Sequence, residues 1–332
     1  MTYNVAIIGA TGAVGRQMLE CLCQRKFPFK NLYLLASAKS EGKIISCFKK
    51  KFEVQNLESF NPEDADVAFF SAGSKISELY AKTFADAKCF VIDNTSFFRM
   101  NKEVPLIVPE INKEDLIKYD SKIISNPNCS TIQMLVTLSP IHKLSKILNI
   151  VVSTYQSVSG AGQNAISELE EQCYSYLKGQ NIKKKILPKQ IAFNVIPQID
   201  VFVQNSYTKE EMKMVNETKK ILDSEICVNA TCVRVPTFVG HAESIYIELE
   251  EKISIFELEK ALKNETSISY SAEGYNMPID CEGKDFVYVS RLRKDLFKDN
   301  AYNMWVVSDN LLKGAALNSI QIAETLLKMK IL

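Results

Sequence analysis

Histidine, tryptophan and charge imbalance are what the 332-residue sequence has least of. There are 2 histidines and 1 tryptophan, and 40 Lys+Arg stand against 39 Asp+Glu. The near-neutral balance argues against a nucleic-acid binder, which carries a basic excess, so any anion site has to be local. With only His142 and His241 available, and no ligand cluster at the usual spacings, no metal site is expected. No run of about 18 apolar residues occurs, so no membrane span is expected. No basic segment precedes the apolar run Tyr3–Ile8, which ends in glycine-turn chemistry and so reads as a strand, not a signal peptide. The 9 cysteines are an odd number without a Cys-x-x-Cys, a pattern that fits a reducing cytoplasm, with eight read as small buried residues. The lysine runs 49–51 and 183–185 read as solvated loops or faces.

What remains is an ordinary globular composition, 46% hydrophobic and 24% charged, in a chain long enough for two domains. An apolar β-prone run at 3–8 leads through Gly9-Ala10-Thr11-Gly12-Ala13-Val14-Gly15 into a helical stretch at 16–25. Further strands are expected at 32–36, 67–71, 89–93 and 122–125, with a helix at 78–87. Alternating strands and helices predict a Rossmann-type doubly wound parallel sheet over residues 1–127, joined by 310–332. Residues 128–309 are expected to form an α+β domain with a mixed, largely antiparallel sheet: strands at 150–157, 231–235, 245–249, 286–291 and 304–308, and helices at 165–177 and 208–224. In 245–249, Ile245, Ile247 and Leu249 alternate with polar neighbours, as in a half-buried antiparallel strand. Thr208 and Glu211 make a capping box. A long proline-marked connection (178–200) and an amphipathic last helix (311–329) complete the reading.

Gly9, Gly12 and Gly15 lie between a strand and a helix, where glycine lets the backbone approach a pyrophosphate and the helix N-terminus offers N–H groups to it. Thr11, Ala13 and Val14, between those glycines, and Ser71, which closes the strand 67–71, are placed with the same cofactor site. A NAD-binding fold usually ends its second strand on a carboxylate. Here that position reads Ser37-Ala38-Lys39-Ser40, a cation with two hydroxyls, which suits a 2′-phosphate and predicts NADP; the competing reading of Lys39 is a solvated loop lysine.

Cys129, in Ser125-Asn126-Pro127-Asn128-Cys129, follows a strand and opens the helical run 132–138, so it is the candidate nucleophile. A helix N-terminus favours a thiolate by about 0.3–1 kcal/mol, a partial shift that calls for a nearby base. His241, after Gly240, is that candidate, whereas His142 reads as structural. Arg234 is either a carboxylate fork or a surface strand arginine. Glu210 and Lys213 share a helix face, either as a surface ion pair or as separate ligands for an ammonium and a phosphate. Arg99 is a further candidate phosphate ligand.

Taken together, GATGAVG (9–15), ASAKS (36–40), SFFRM (96–100), SNPNCST (125–131), YQSVSGAG (155–162), EEMK (210–213), RVPTFVGHAE (234–243) and DNLLKGAALNSIQIAE (309–324) resemble the aspartate-semialdehyde dehydrogenase family, in the family's order and over nearly the whole chain. The resemblance implies an oxidoreductase, a phosphorylating aldehyde dehydrogenase. It would interconvert L-4-aspartyl phosphate and L-aspartate 4-semialdehyde plus inorganic phosphate with NADP, on the route to lysine (through diaminopimelate), threonine and methionine. It implies Cys129 as thioester nucleophile, His241 as acid/base and Gln156 as the residue positioning substrate and thioester. Arg234 and Glu210 would hold the substrate's carboxylate and ammonium, and Arg99, Lys213 and Asn128 the phosphate. Ser159, Gly160 and Asn310 would touch the cofactor. It also implies a cytoplasmic homodimer or tetramer without nucleic-acid or membrane partners. Lys39 departs from the arginine common in the family and loses a planar fork. Two other readings stand beside it: N-acetyl-γ-glutamyl-phosphate reductase, whose cysteine segment reads closer to NPGCY, and a catalytically silent dinucleotide-binding regulator. Glyceraldehyde-3-phosphate dehydrogenase is more distant, lacking both the glycine spacing and the GHAE context.

Overall fold

The computed structural model describes residues 2–48 and 50–332, so Lys49 of the first lysine run lies outside the described residues. It divides into two compact units, 1–128 with 315–332, and 129–314, the cuts falling after Asn128 and Gly314 and not after 127 and 309.

The first unit runs β1 (Tyr3–Ile8), α1 (Ala13–Gln24), β2 (Phe29–Ala36), β3 (Ile44–Cys47), β4 (Lys50–Asn56), β5 (Val67–Phe70), α2 (Ser74–Asp86), β6 (Phe90–Asp93), α3 (Pro109–Asn112) and β7 (Ile123–Ser125). Its seven-stranded sheet has the order β3-β4-β2-β1-β5-β6-β7. All pairs are parallel except β3 with β4. β1 and β5 are apolar on both faces and wholly buried over Val5–Ile8 and Val67–Phe70, as strands covered by helices on either side must be. The order reverses at β1, with β2 on one side and β5 on the other, the switch point where such sheets bind ligands. The hairpin of β3 and β4 was not expected; its residues are largely exposed, so it lacks the apolar alternation that marks a strand.

The second unit runs α4 (Cys129–His142), β8 (Ile147–Gln156), α5 (Gln163–Leu177), α6 (Lys209–Ile221), β9 (Cys227–Arg234), β10 (His241–Leu249), α7 (Ile255–Asn264), β11 (Ile268–Ser271), α8 (Pro278–Cys281), β12 (Val287–Lys294) and β13 (Ala301–Ser308). Its six-stranded sheet, β11-β12-β13-β10-β8-β9, is antiparallel at the centre and parallel at both edges. Ile245, Ile247 and Leu249 of β10 are buried and Glu250 is exposed, in keeping with the alternation. α4 is buried along nearly its whole length, which explains an apolar sequence without a polar stripe. The capping box forms: Thr208 Oγ1 accepts from Glu211 N (3.3 Å) and Glu211 accepts from Thr208 N (2.6 Å). α7 has a second capping box, Ser254 with Glu257, and was not anticipated. The connection after α5 is held without regular structure. Buried Glu168 accepts from the amides of Lys185, Ile186 and Leu187, and Gln172 from those of Ile191 and Ala192.

The chain returns to the first unit with α9 (Leu317–Lys328), preceded by a π-helical turn over Leu312–Ala316. The single helix expected over 311–329 is therefore corrected. A Cβ on Gly314 would lie 2.7 Å from Cys129 Cβ, so the wide turn sits where glycine lets the backbone lie against the cysteine. The expectation of eight buried cysteines is also corrected: besides Cys129, Cys23 and Cys173 are half-buried and Cys227 is exposed. All nine are thiols.

Candidate functional site

In the first unit, Gly9 follows β1 with φ +86°, and a Cβ there would meet Ala72 N at 2.9 Å. Gly15 is closed to any side chain, since its Cβ would lie 2.3 Å from Gly9 O. Gly12 caps α1, which has neither a side-chain cap nor an acidic residue in its first turn, so the positive end of the helix is uncompensated. Beside it lies a crevice of about 360 Å³ lined by Gly9, Thr11, Gly12, Ser37 and Ser71, with Leu57, Glu58 and Tyr80 among its other walls. Ala13 and Val14 form the first turn of the helix and do not line the crevice. These features fit the pyrophosphate and adenosine parts of a dinucleotide. Lys39 and Ser40 lie on a 3₁₀ turn after β2, with Lys39 exposed and outside the lining. Glu58 was missed: no carboxylate ends the second strand, but this one reaches the crevice from the turn after β4, a placement that no spacing from the glycines announces.

Arg99 belongs to the first unit and is buried (7% exposed), its Nη2 donating to Asn94 O at 2.8 Å. The loop that carries it is tied down by buried Asp93, which accepts from Ser77 Oγ (2.8 Å), Thr95 N (2.9 Å) and Thr95 Oγ1 (2.9 Å). Burial raises the Asp93 carboxyl above its ordinary value; these hydrogen bonds and the Arg99 charge oppose the rise. Asn128 is buried in the same unit.

The second unit brings together most of the other candidates. Cys129 is the first residue of α4 and is half-buried. Gln156 ends β8 with its Nε2 donating to Glu210 Oε1 (3.0 Å), and Thr154 Oγ1 donates to Gln156 Oε1 (2.9 Å). The carboxylate can only accept, so this pair of contacts fixes which way the amide points. Glu210 also accepts from Lys213 Nζ (2.9 Å). Its 5% exposure overturns the reading of a surface pair, because the helix face that carries it packs inward. Arg234 is likewise not a surface residue: it ends β9 at 5% exposure and donates from Nη1 to Ser157 O (2.7 Å), and burial lowers its pKa against the opposing effects of nearby Glu210 and the Cys129 sulfur.

His241 opens β10 and is fully buried. Its Nδ1 accepts from Ser157 N (3.1 Å) and lies 3.1 Å from Ser157 Oγ. Burial, reinforced by Arg234, pushes its pKa down to about 3. Gly160 stands over this pair: a Cβ there would lie 2.9 Å from Arg234 Nη1 and 3.2 Å from His241 Nε2. Asn310 organises the surrounding backbone, accepting on Oδ1 from Ser157 Oγ (3.1 Å), Ser159 Oγ (3.2 Å) and Gly240 N (2.9 Å). His142, by contrast, accepts from Ile147 N on Nδ1 (3.1 Å) at the end of α4 and is structural. No cluster of potential metal ligands occurs among the described residues, and no helix there is long and apolar enough to cross a membrane.

Glu243, two residues along β10 from His241, is a residue that sequence reasoning passed over. It is fully buried, and burial raises its pKa well above the ordinary value, opposed by a hydrogen bond from the Gln133 side chain.

Comparison with known proteins gives two family matches: "Semialdehyde dehydrogenase, NAD binding domain" over residues 4–119, and "Semialdehyde dehydrogenase, dimerisation domain" over 138–313. The aspartate-semialdehyde dehydrogenase of Shewanella violacea is 49% identical over 331 residues, 98% of either chain. That of Bacillus subtilis is 46% identical over 341 residues, 99% of this chain and 98% of its own. A crystal structure of aspartate semialdehyde dehydrogenase II from Vibrio cholerae, complexed with ASA, superposes with a TM-score of 0.97 at 48% identity, covering 99% of both chains. The Candida albicans enzyme with NADP gives 0.78 at 25% identity, covering 100% of both.

Proposed function

Since this chain belongs to the aspartate-semialdehyde dehydrogenase family, a family of oxidoreductases, we propose that it catalyses the reversible, NADPH-dependent reductive dephosphorylation of L-4-aspartyl phosphate to L-aspartate 4-semialdehyde through a thioester on Cys129. The observation that carries the reading is the convergence, in one unit, of a thiol at a helix N-terminus with the buried set Gln156, Glu210, Arg234 and His241.

In this reading the Cys129 thiolate attacks the acyl phosphate carbon and phosphate leaves with the bonding pair. The helix N-terminus and the Arg234 charge both favour the anionic sulfur. Arg234 forks onto the substrate α-carboxylate and Glu210 receives the α-ammonium, replacing the contacts they make with Ser157 O and Lys213. Gln156, its amide fixed by Thr154, positions the acyl group. Arg99, Lys213 and Asn128 hold the phosphate. The cofactor supplies the hydride that reduces the thioester. Gly9, Thr11, Gly12, Gly15 and Ser71, the Ala13 and Val14 amides at the helix start, and Ser37, Lys39 and Ser40 at the 2′-phosphate would hold it, and the family resemblance adds Ser159, Gly160 and Asn310. Lys39 supports NADP by its charge, and the Glu58 carboxylate in the crevice makes a direct comparison with NAD necessary.

A homodimer built on the second unit's sheet completes the proposal. Val151 and Tyr155, at 47% and 38% exposure, alternate along β8 with buried residues and leave an apolar face on the sheet. Nine thiols without a disulfide suit a cytoplasmic enzyme of lysine, threonine and methionine synthesis.

The test is phosphate-dependent reduction of NADP by aspartate semialdehyde, with N-acetylglutamate semialdehyde in parallel. The expected result is turnover with the first substrate only, faster with NADP than NAD, and loss of at least about 10³-fold in Cys129→Ala. Turnover that survives Cys129→Ala, or that prefers the N-acetylated substrate, would overturn it.

A further inference from the structure

We propose that Glu243 and Gln133 form a neutral carboxyl–amide pair, the Glu243 O–H donating to Gln133 Oε1, and that this pair is a positioning device holding the start of α4, and with it Cys129, against β10. The inference rests on the function proposed above.

Both members stand where the pattern calls for hydrocarbon. Glu243 heads the row Glu243, Ile245, Ile247 and Leu249, which share one face of β10 and are all buried. α4 packs against that strand and is itself apolar, with Ile132, Met134, Leu135, Val136 and Leu138 buried. Gln133 and Glu243 are each 0% exposed. A polar group is buried at a cost unless it is hydrogen-bonded, and a carboxylate without a cation at a far larger one.

The hydrogen bonds show what is missing. Gln133 Nε2 donates to His241 O at 3.4 Å, and the Gln133 side chain also bonds Glu243. Gln133 Oε1, however, is buried without a partner, and an amide oxygen can only accept. A protonated Glu243 supplies the hydrogen that this oxygen lacks, whereas a carboxylate, itself only an acceptor, supplies none. With the proton in place the two planar groups close a ring of two opposed bonds, N–H to carboxyl oxygen and O–H to amide oxygen. The surroundings favour that form. In register Glu243 lies opposite Thr154 of β8 and Val306 of β13, neither of them charged. The ionisable neighbour on β9 is the Cys232 thiol, whose pKa burial also raises. Burial dominates the titration of Glu243, opposed by Gln133 and by no cation.

The pair has a place in the proposed chemistry. Gln133 stands one turn after Cys129 on the same side of α4, and its amide reaches the first residue of β10. Thr154, across the sheet from Glu243, is the residue that donates to Gln156 Oε1 (2.9 Å). The thiol and the amide proposed to act on the acyl group are thus supported from one buried layer. An ionised Glu243 would add a second buried carboxylate to Glu210 in the unit where an anionic sulfur is needed, and like charges disfavour one another. The neutral pair gives the hydrogen bonds without the charge.

Two measurements that need no substrate test this. The infrared difference spectrum of wild type minus Glu243→Gln is expected to show, at about pH 7, the carbonyl stretch of a protonated carboxylic acid, displaced by ¹³C-glutamate labelling. The rate at which iodoacetamide alkylates Cys129, followed by mass spectrometry, is expected to be unchanged in Glu243→Gln, whose amide donates and accepts as the acid does. It is expected to fall about tenfold in Glu243→Leu and in Gln133→Leu, which leave one member alone. Gln133→Glu combined with Glu243→Gln exchanges the members and keeps the rate. The kcat for aspartate semialdehyde follows the same order, with KM changing less. If the leucine variants do not fold, the spectrum and the exchanged pair decide. Absence of the acid band, or a Glu243→Gln protein whose Cys129 is alkylated about tenfold more slowly than the wild type's, would overturn the proposal. The band and an unchanged rate in a protein that does not turn over aspartate semialdehyde would count against the proposed function only, and turnover without the band against this inference only.

Discussion

Glu243 shows how a single buried group can run against the usual dependence of stability on pH. Most carboxylates in folded proteins are held below their ordinary pKa and lose stability in acid. Glu243 is held above it, by burial. Its protonated form is tolerated in the fold, so its contribution is whole below the unfolded value of about 4.5 and is lost as pH rises toward the folded value, at about 1.4 kcal/mol per pH unit. His241 acts on the acid side. Its depressed pKa means that the unfolded chain takes up a proton near pH 6.5 while the folded chain does not until about 3, so the fold weakens as pH falls through that window. Glu243→Gln should therefore gain on the wild type as pH increases, with the difference between the two growing from about pH 5 to 8 by one or more kcal/mol. Guanidinium unfolding of both proteins across that range measures this; a difference that does not change with pH would mean that the wild-type carboxyl is ionised in the fold.

Among the elements, α6 links stability to the proposed site most closely. Glu211 uses both carboxyl oxygens, one on the Thr208 amide and one on Cys232 N at 3.0 Å, so the helix start is joined to β9, which ends in Arg234. Glu210 and Lys213 stand on the turns next to that start. Removing the cap with Thr208→Ala should cost about 1 kcal/mol of stability. Because the fraying reaches Glu210, the KM for aspartate semialdehyde should rise more than kcat falls. Denaturation and steady-state kinetics on the same preparation check both halves of that expectation.

At the scale of the whole molecule, the dinucleotide crevice belongs to one compact unit and the thiol with its buried neighbours to the other. A ligand that binds only the folded first unit should stabilise it by mass action, about 2.7 kcal/mol at one hundred times its dissociation constant. NADP is expected to raise the melting temperature, and NAD at equal concentration to raise it less; equal shifts would remove the basis for assigning the 2′-phosphate to Lys39.

What the sequence determined by itself is what depends on neighbours along the chain. The strand, glycine turn and helix at 3–24, the capping box at Thr208, the alternation in β10 and the placing of Cys129 at a helix start are all set by residues a few positions apart, where the periods of helix and strand operate. The hairpin of β3 and β4, and the helix α7, escaped because exposed and mixed residues blur those periods. Only the tertiary structure decided that Arg234 and Glu210 are buried, that Glu58 reaches the crevice, that a π turn lays Gly314 against Cys129, and that Glu243 lies in the interior with its pKa raised by burial. It alone brought Ser157 to His241, 84 residues apart. Desolvation and partner choice are set by what the fold packs around a group, and no local pattern encodes that surrounding.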